Sequence, residues 1–150
     1  MGNVPAVPII TMPYLGIYGL AQMVKYKENI CQVCLIPKDI TDTPESKVPL
    51  GLSWALDVED GARTIGKIFD VAEEEILKAG RLPLTVVGIL SLGRGGVLSS
   101  HNVIATGSHS VAGEVADVWL DDGKPELYWL GSGDSHAKWG SASCGRYIEL

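Results

Sequence analysis

The run Val118-Trp119-Leu120-Asp121-Asp122-Gly123-Lys124-Pro125-Glu126-Leu127-Tyr128-Trp129-Leu130 holds two stretches of β-favouring residues around an Asp-Asp-Gly-Lys turn. That is a hairpin signature. It makes the C-terminal part of the chain antiparallel β structure. Upstream, Val97 to Thr106 and Ser110 to Leu120 read as strands, so the hairpin extends into a β meander. Downstream, Gly131 to Arg146 is rich in Gly and Ser, and Tyr147 to Leu150 reads as a closing strand.

The earlier segments alternate between the two periods. Ala6 to Met12 reads as a strand, and Tyr14 to Tyr26 as a helix weakened by Gly16 and Gly19. Asn29 to Ile36 is a strand ended by Pro37, and Pro37 to Lys47 is a loop. Between Val48 and Val58, Leu50, Leu52, Trp54, Leu56 and Val58 alternate with less apolar neighbours, the period of a strand with one buried face. Val58 to Ala79 is expected to be the longest helix, capped by Asp57 and ended at Gly80 and Pro83. Ile65, Ile68, Phe69, Ala72, Ile76 and Leu77 would form its apolar face. Leu84 to Leu90, with Thr-Val-Val, reads as a strand. Residues 6–90 then run β-α-β-β-α-β. The expected fold is α+β, a split βαβ sheet over residues 6–90 extended by a C-terminal antiparallel β meander, in one domain of 150 residues. The alternative is one larger antiparallel sheet wrapped around the Val58–Ala79 helix.

Bulk properties narrow the function. The net charge is −6, with no basic stripe, so no nucleic-acid partner is expected. The acidic run Asp57 to Glu75 reads as a solvated helix face. The longest apolar stretch, Val4 to Val24, is interrupted by Pro5, Pro8 and Pro13, so no membrane partner is expected. Lys25 is the first basic residue, which does not fit a signal peptide. Three cysteines in a chain of this length point to reduced thiols and a cytoplasmic location. Cys31-Gln32-Val33-Cys34 could be a redox or half-zinc motif, but in a strand it reads as structural thiols.

Of 18 glycines, eleven lie between Gly88 and Gly145, together with all three histidines. Candidate sites therefore cluster there. In Ser91-Leu92-Gly93-Arg94-Gly95-Gly96, Gly93, Gly95 and Gly96 could shape a nest of backbone amides, with Arg94 as the cation for a carboxylate or phosphate. A glycine-rich turn is the alternative. The P-loop spacing is absent, and no cofactor is named by the sequence. His101 and Ser99 would share one face of a strand, and His109 follows. In Gly131 to Gly140, Asp134 and His136 are two apart; they either face the same side for proton transfer or lie in a turn that Asp134 caps. His101, His136 and Asp134 are the candidate catalytic residues, and Arg94, Gly93, Gly95, Gly96 and His109 the candidate ligand-binding residues.

Gly133-Asp134-Ser135-His136-Ala137 followed by Gly140 resembles the Gly-Asp-x-His-Ala signature of the acetamidase/formamidase family. The acidic glycine-rich continuation of that signature is replaced by Ser141-Ala142-Ser143. The resemblance implies hydrolase chemistry.

Three functional expectations follow. The first is a ligand-binding or hydrolase-like site for a small anionic or carbonyl-containing molecule on the glycine-rich loops. The second is a non-catalytic homo-oligomer or partner-binding protein, with Trp119 and Trp129 as interface anchors. The third is a metal site built from His101, His109, Asp134 and His136.

Overall fold

A computed structural model describes residues 3–11, 16–94, 98 and 101–150. Within them the chain is a mixed α+β structure. Its strands are β1 (Asn3–Thr11), β2 (Lys25–Tyr26), β3 (Asn29–Ile30), β4 (Gln32–Val33), β5 (Thr41–Asp42), β6 (Gly51–Glu59) and β7 (Leu82–Pro83), followed by β8 (Asn102–His109), β9 (Val115–Asp121), β10 (Lys124–Leu130), β11 (Trp139–Ser141), β12 (Ser143–Cys144) and β13 (Arg146–Glu149). Helices α1 (Gly16–Ala21), α2 (Phe69–Lys78) and α3 (Val86–Gly93) interrupt them.

Two sheets carry the fold. In the first, β6 pairs antiparallel with β1, from Asn3 opposite Glu59 to Thr11 opposite Gly51. On its other side β6 receives β12 and β13, and β12 also pairs with β7. The second sheet has the order β11-β8-β9-β10-β4, with β5 also on β8. Its centre, β8-β9-β10, is the antiparallel meander expected from the hairpin sequence. β11 and β4 join parallel at the two ends. A separate small hairpin pairs β2 with β3.

Helix α3 lies against β1 on one side and against β8 and β9 on the other. Ile89, Leu90 and Leu92 of α3 share one apolar cluster with Val7, Ile9, Ala55, Val103, Val118 and Leu127. This corrects the strand expected at Leu84 to Leu90. A segment buried on every side shows no period, so a short apolar run does not separate strand from helix. Two bonds at its start favour the helix: locally the Thr85 hydroxyl accepts from the Gly88 amide at 3.3 Å, and from strand β8 the Ser108 hydroxyl accepts from the Val86 amide at 2.9 Å. The element order expected over residues 6–90 changes accordingly.

The helix expected from Val58 to Ala79 is also shorter. Val58 and Glu59 finish β6, and a 3-10 turn occupies Ala62–Thr64. Glu59 accepts from the Gly61 and Arg63 amides at 3.2 and 3.0 Å, and Asp60 accepts from the Ala62 amide at 3.0 Å. These carboxylates satisfy the turn's free donors, so the chain turns before helix α2 begins. Asp57 caps no helix; it pairs with Arg81 at 2.6 Å. Phe69, Ala72 and Ile76 are buried as the spacing predicts, whereas Ile65 and Leu77 stay exposed. The strand expected over Asn29 to Ile36 is broken into β3 and β4, and the first helix is reduced to Gly16–Ala21 within the described residues.

Helix α2 covers part of the opposite face of the second sheet. There Phe69 packs with Ile104, Val115 and Leu130, and Trp139 borders them. This second cluster is small, and the sheet face continues beyond it.

Candidate functional site

Alternation along β9 and β10 sets out that uncovered face. Asp117 stands opposite Tyr128, and Trp119 opposite Glu126. Ile104 of β8 is the other neighbour of Asp117, and Trp139 of β11 pairs with Asn102. A pocket of about 390 Å³ opens here. Asp117, Trp119, Tyr128, Asp134, His136 and Trp139 are among its lining residues. Aromatic rings and two carboxyl groups thus meet beside the end of the small cluster.

Asp117 is the unusual member. It is 3% exposed. Burial pushes its carboxyl up to about 7, against only a lowering contribution from its own backbone amide. No cationic side chain offsets the burial, so the neutral acid is favoured. The indole N–H groups of Trp119 and Trp139 are buried without a hydrogen-bond acceptor among the described residues. Tyr128 is 51% exposed and forms the open side.

Asp134 and His136 reach the pocket from the loop between β10 and β11. Asp134 caps its own turn, accepting from the Gly131 amide at 3.2 Å, as in the turn alternative. The His136 ring lies 5.2 Å from that of Trp139, tilted by 50°. Its Nδ1 accepts from the Lys138 amide at 3.2 Å, which orients the imidazole. Two of the candidates, Asp134 and His136, thus share one loop and line one pocket. Sequence reasoning missed Asp117, whose signal was a lone acid within the apolar run Val115-Ala116-Asp117-Val118.

The other candidates lie apart. His101 is buried, and its Nε2 donates to the Asp60 carbonyl at 2.7 Å; the Asp60 carboxylate is 3.9 Å away. His109, at the other end of β8, donates from Nε2 to the Thr106 carbonyl at 2.9 Å and lies 3.6 Å from Glu73. Each histidine has its own local setting. Gly93 belongs to helix α3, where an added Cβ would meet Val24 at 3.2 Å, so it forms no loop nest. The Arg94 guanidinium donates to the Pro8 carbonyl at 3.2 Å. Gly95 and Gly96 lie outside the described residues, as do Ser99 and Ser100.

No group of three His, Cys, Asp or Glu among the described residues is placed to hold a metal ion. All three cysteines are free, and Cys34 is exposed rather than buried. Burial pushes the Cys31 thiol up to about 12 and raises that of Cys34 as well. Redox-active thiols need the opposite shift. No described helix is long and apolar enough to cross a membrane.

The fold and this face define a small α+β protein with an aromatic, carboxyl-bearing pocket on one side of a β meander. Among known proteins, no family model, curated protein or solved structure matches the chain.

Proposed function

We propose that this protein binds a small molecule in the pocket of Asp117, Tyr128, His136 and Trp139, with Asp117 as its acid–base group. One observation carries the reading: a carboxyl only 3% exposed lines an open pocket whose wall, among the described residues, holds a histidine but no Lys or Arg. Perturbed carboxyls in clefts are typical of functional sites. Asp117 and His136 supply two groups suited to proton transfer, which supports hydrolase-like chemistry on a carbonyl-containing ligand. An anionic ligand is disfavoured, because no Lys or Arg among the described residues lines the pocket to receive it and Asp134 adds an acid there.

The test is an activated-ester hydrolysis assay, run with ligand-induced changes in tryptophan fluorescence. Asp117→Asn should lose both responses while keeping the fold. Full activity and binding in that variant overturn the proposal.

A second reading, a homo-oligomer, rests on the outer face of the first sheet. Leu52, Trp54 and Leu56 of β6 stand beside Ile10, Pro8 and Ala6 of β1, and Ile148 of β13 stands beside Trp54. Leu52 and Ile148 are both exposed. A contiguous apolar face of this kind marks association. Pro5 and Pro8 lie within edge strand β1 and have no amide to donate, which blunts strand-to-strand pairing and leaves face-to-face contact with a second copy. Sedimentation should give a dimer; a strict monomer removes this reading. Free thiols favour a cytoplasmic location.

A further inference from the structure

We infer that the pocket ligand carries a positively charged amine or quaternary ammonium group, held between the aromatic rings and the Asp117 carboxylate. The inference rests on the small-molecule reading above and adds the ligand's charge. Three features of the wall support it.

First, the lining includes the rings of Trp119, Tyr128 and Trp139, and the face of an aromatic ring attracts a cation. Second, Asp117 and Asp134 both line the pocket, whereas no Lys or Arg does. A cation would be the missing counter-charge for a buried acid. Third, the groups sharing this face do not offset that charge. Ile104 on β8 and Phe69 on α2 are apolar, Glu126 on β10 adds a further acid, and His136 is the only basic side chain in the wall. The pocket volume of about 390 Å³ suits a compact ligand. Neither half suffices alone: the rings would take any flat apolar group, and the acids alone would hold only hydrated ions. Together they select an organic cation.

Choline and 3,3-dimethyl-1-butanol have the same shape and differ in the charge of one atom. Titration of each, read on the indole N–H resonances of Trp119 and Trp139, tests the inference. Choline should bind at least about tenfold more tightly than the neutral isostere, and its affinity should fall by about tenfold in Asp117→Asn. Its binding should also strengthen as the pH rises through neutrality and the carboxyl ionises. Equal binding of the two probes overturns the cation inference and leaves the small-molecule pocket standing. Preferential binding of acetate overturns it too. If no probe moves either indole resonance up to its solubility limit, both the inference and the pocket reading fall. A wild-type-like choline affinity in a folded Asp117→Asn protein excludes Asp117 as the counter-charge.

Discussion

The two faces of the β8–β9–β10 meander come from alternate residues of the same three strands, yet they are built to opposite ends. On the inner face Val103, Ala105, Ala116, Val118 and Leu127 are fully buried and belong to the main core with α3. On the outer face Ile104, Val115 and Leu130 form only a small cluster under Phe69. Past that cluster come Asp117, Trp119 and Tyr128 around a pocket. The inner face excludes water and holds the protein together. The outer face gives up packing and keeps a buried acid with no Lys or Arg beside it among the described residues. Sites that carry such unfavourable groups depend on the rest of the fold to keep them in place.

Substitutions can break that contrast, starting with the strongest. Leu90→Ala in α3 should destabilise the protein by about 2–5 kcal/mol, because it removes buried methyl groups and leaves a cavity between the sheets. Denaturant unfolding measures this. Ligand affinity at low temperature should be retained, since Leu90 belongs to the inner core.

Asp117→Asn should act in the opposite sense at neutral pH. In the unfolded chain the carboxyl returns to its ordinary value of 3.8, against about 7 when folded. Between these values the folded state keeps a proton that the unfolded state releases, so stability falls as the pH rises from about 4 to about 7. The variant removes this loss, which is on the order of 2–4 kcal/mol. Unfolding titrations of both proteins across that window should diverge steadily. Parallel curves would show that Asp117 ionises as freely when folded as when unfolded.

Gly140→Ala probes the joint between the outer face and the loop after β6. An added Cβ would lie 2.2 Å from the Gly61 carbonyl oxygen, and the reciprocal contact from Gly61 is 2.6 Å. The two backbones must separate, at a cost of about 1–3 kcal/mol. A thermal melt reads the loss. An unchanged midpoint would mean that this loop does not clamp β11. His136→Ala should shift stability least, within about 0.5 kcal/mol, because the side chain is exposed. Its effect should show in ligand binding, measured by titration. A large stability loss would make His136 a structural residue rather than a pocket residue.

Legibility in the sequence followed the environment of each segment. The hairpin and the Phe69, Ala72, Ile76 face of α2 each have one buried side, and a half-buried element writes its period into the chain. Strand β6 has the expected period but the opposite facing: Ser53 and Ala55 are buried, whereas Leu50 and Leu52 are exposed and Trp54 and Leu56 only half-buried, because small side chains fit beneath the sheet and the large ones stand on its outer face. Helix α3 writes no such period, because both sheets bury it, and its clearest helix marker was Thr85 at the N-cap. The extra turns expected at the start of α2 were lost to Glu59, Asp60 and Gly61, whose side-chain and backbone conformations favour a tight turn. At the site, Asp134 and His136 were legible because they lie together in one loop. The loop expected at Gly93 was misread because the segment before it is helical.

The amino-acid order alone established the α+β class and the meander. These are local properties: period and turn chemistry survive without knowledge of neighbours. The burial of α3 and the character of Asp117 belong to the tertiary structure. A carboxyl's acidity depends on which groups surround it, and those around Asp117 come from strands β8 and β10 and a loop brought together only on folding.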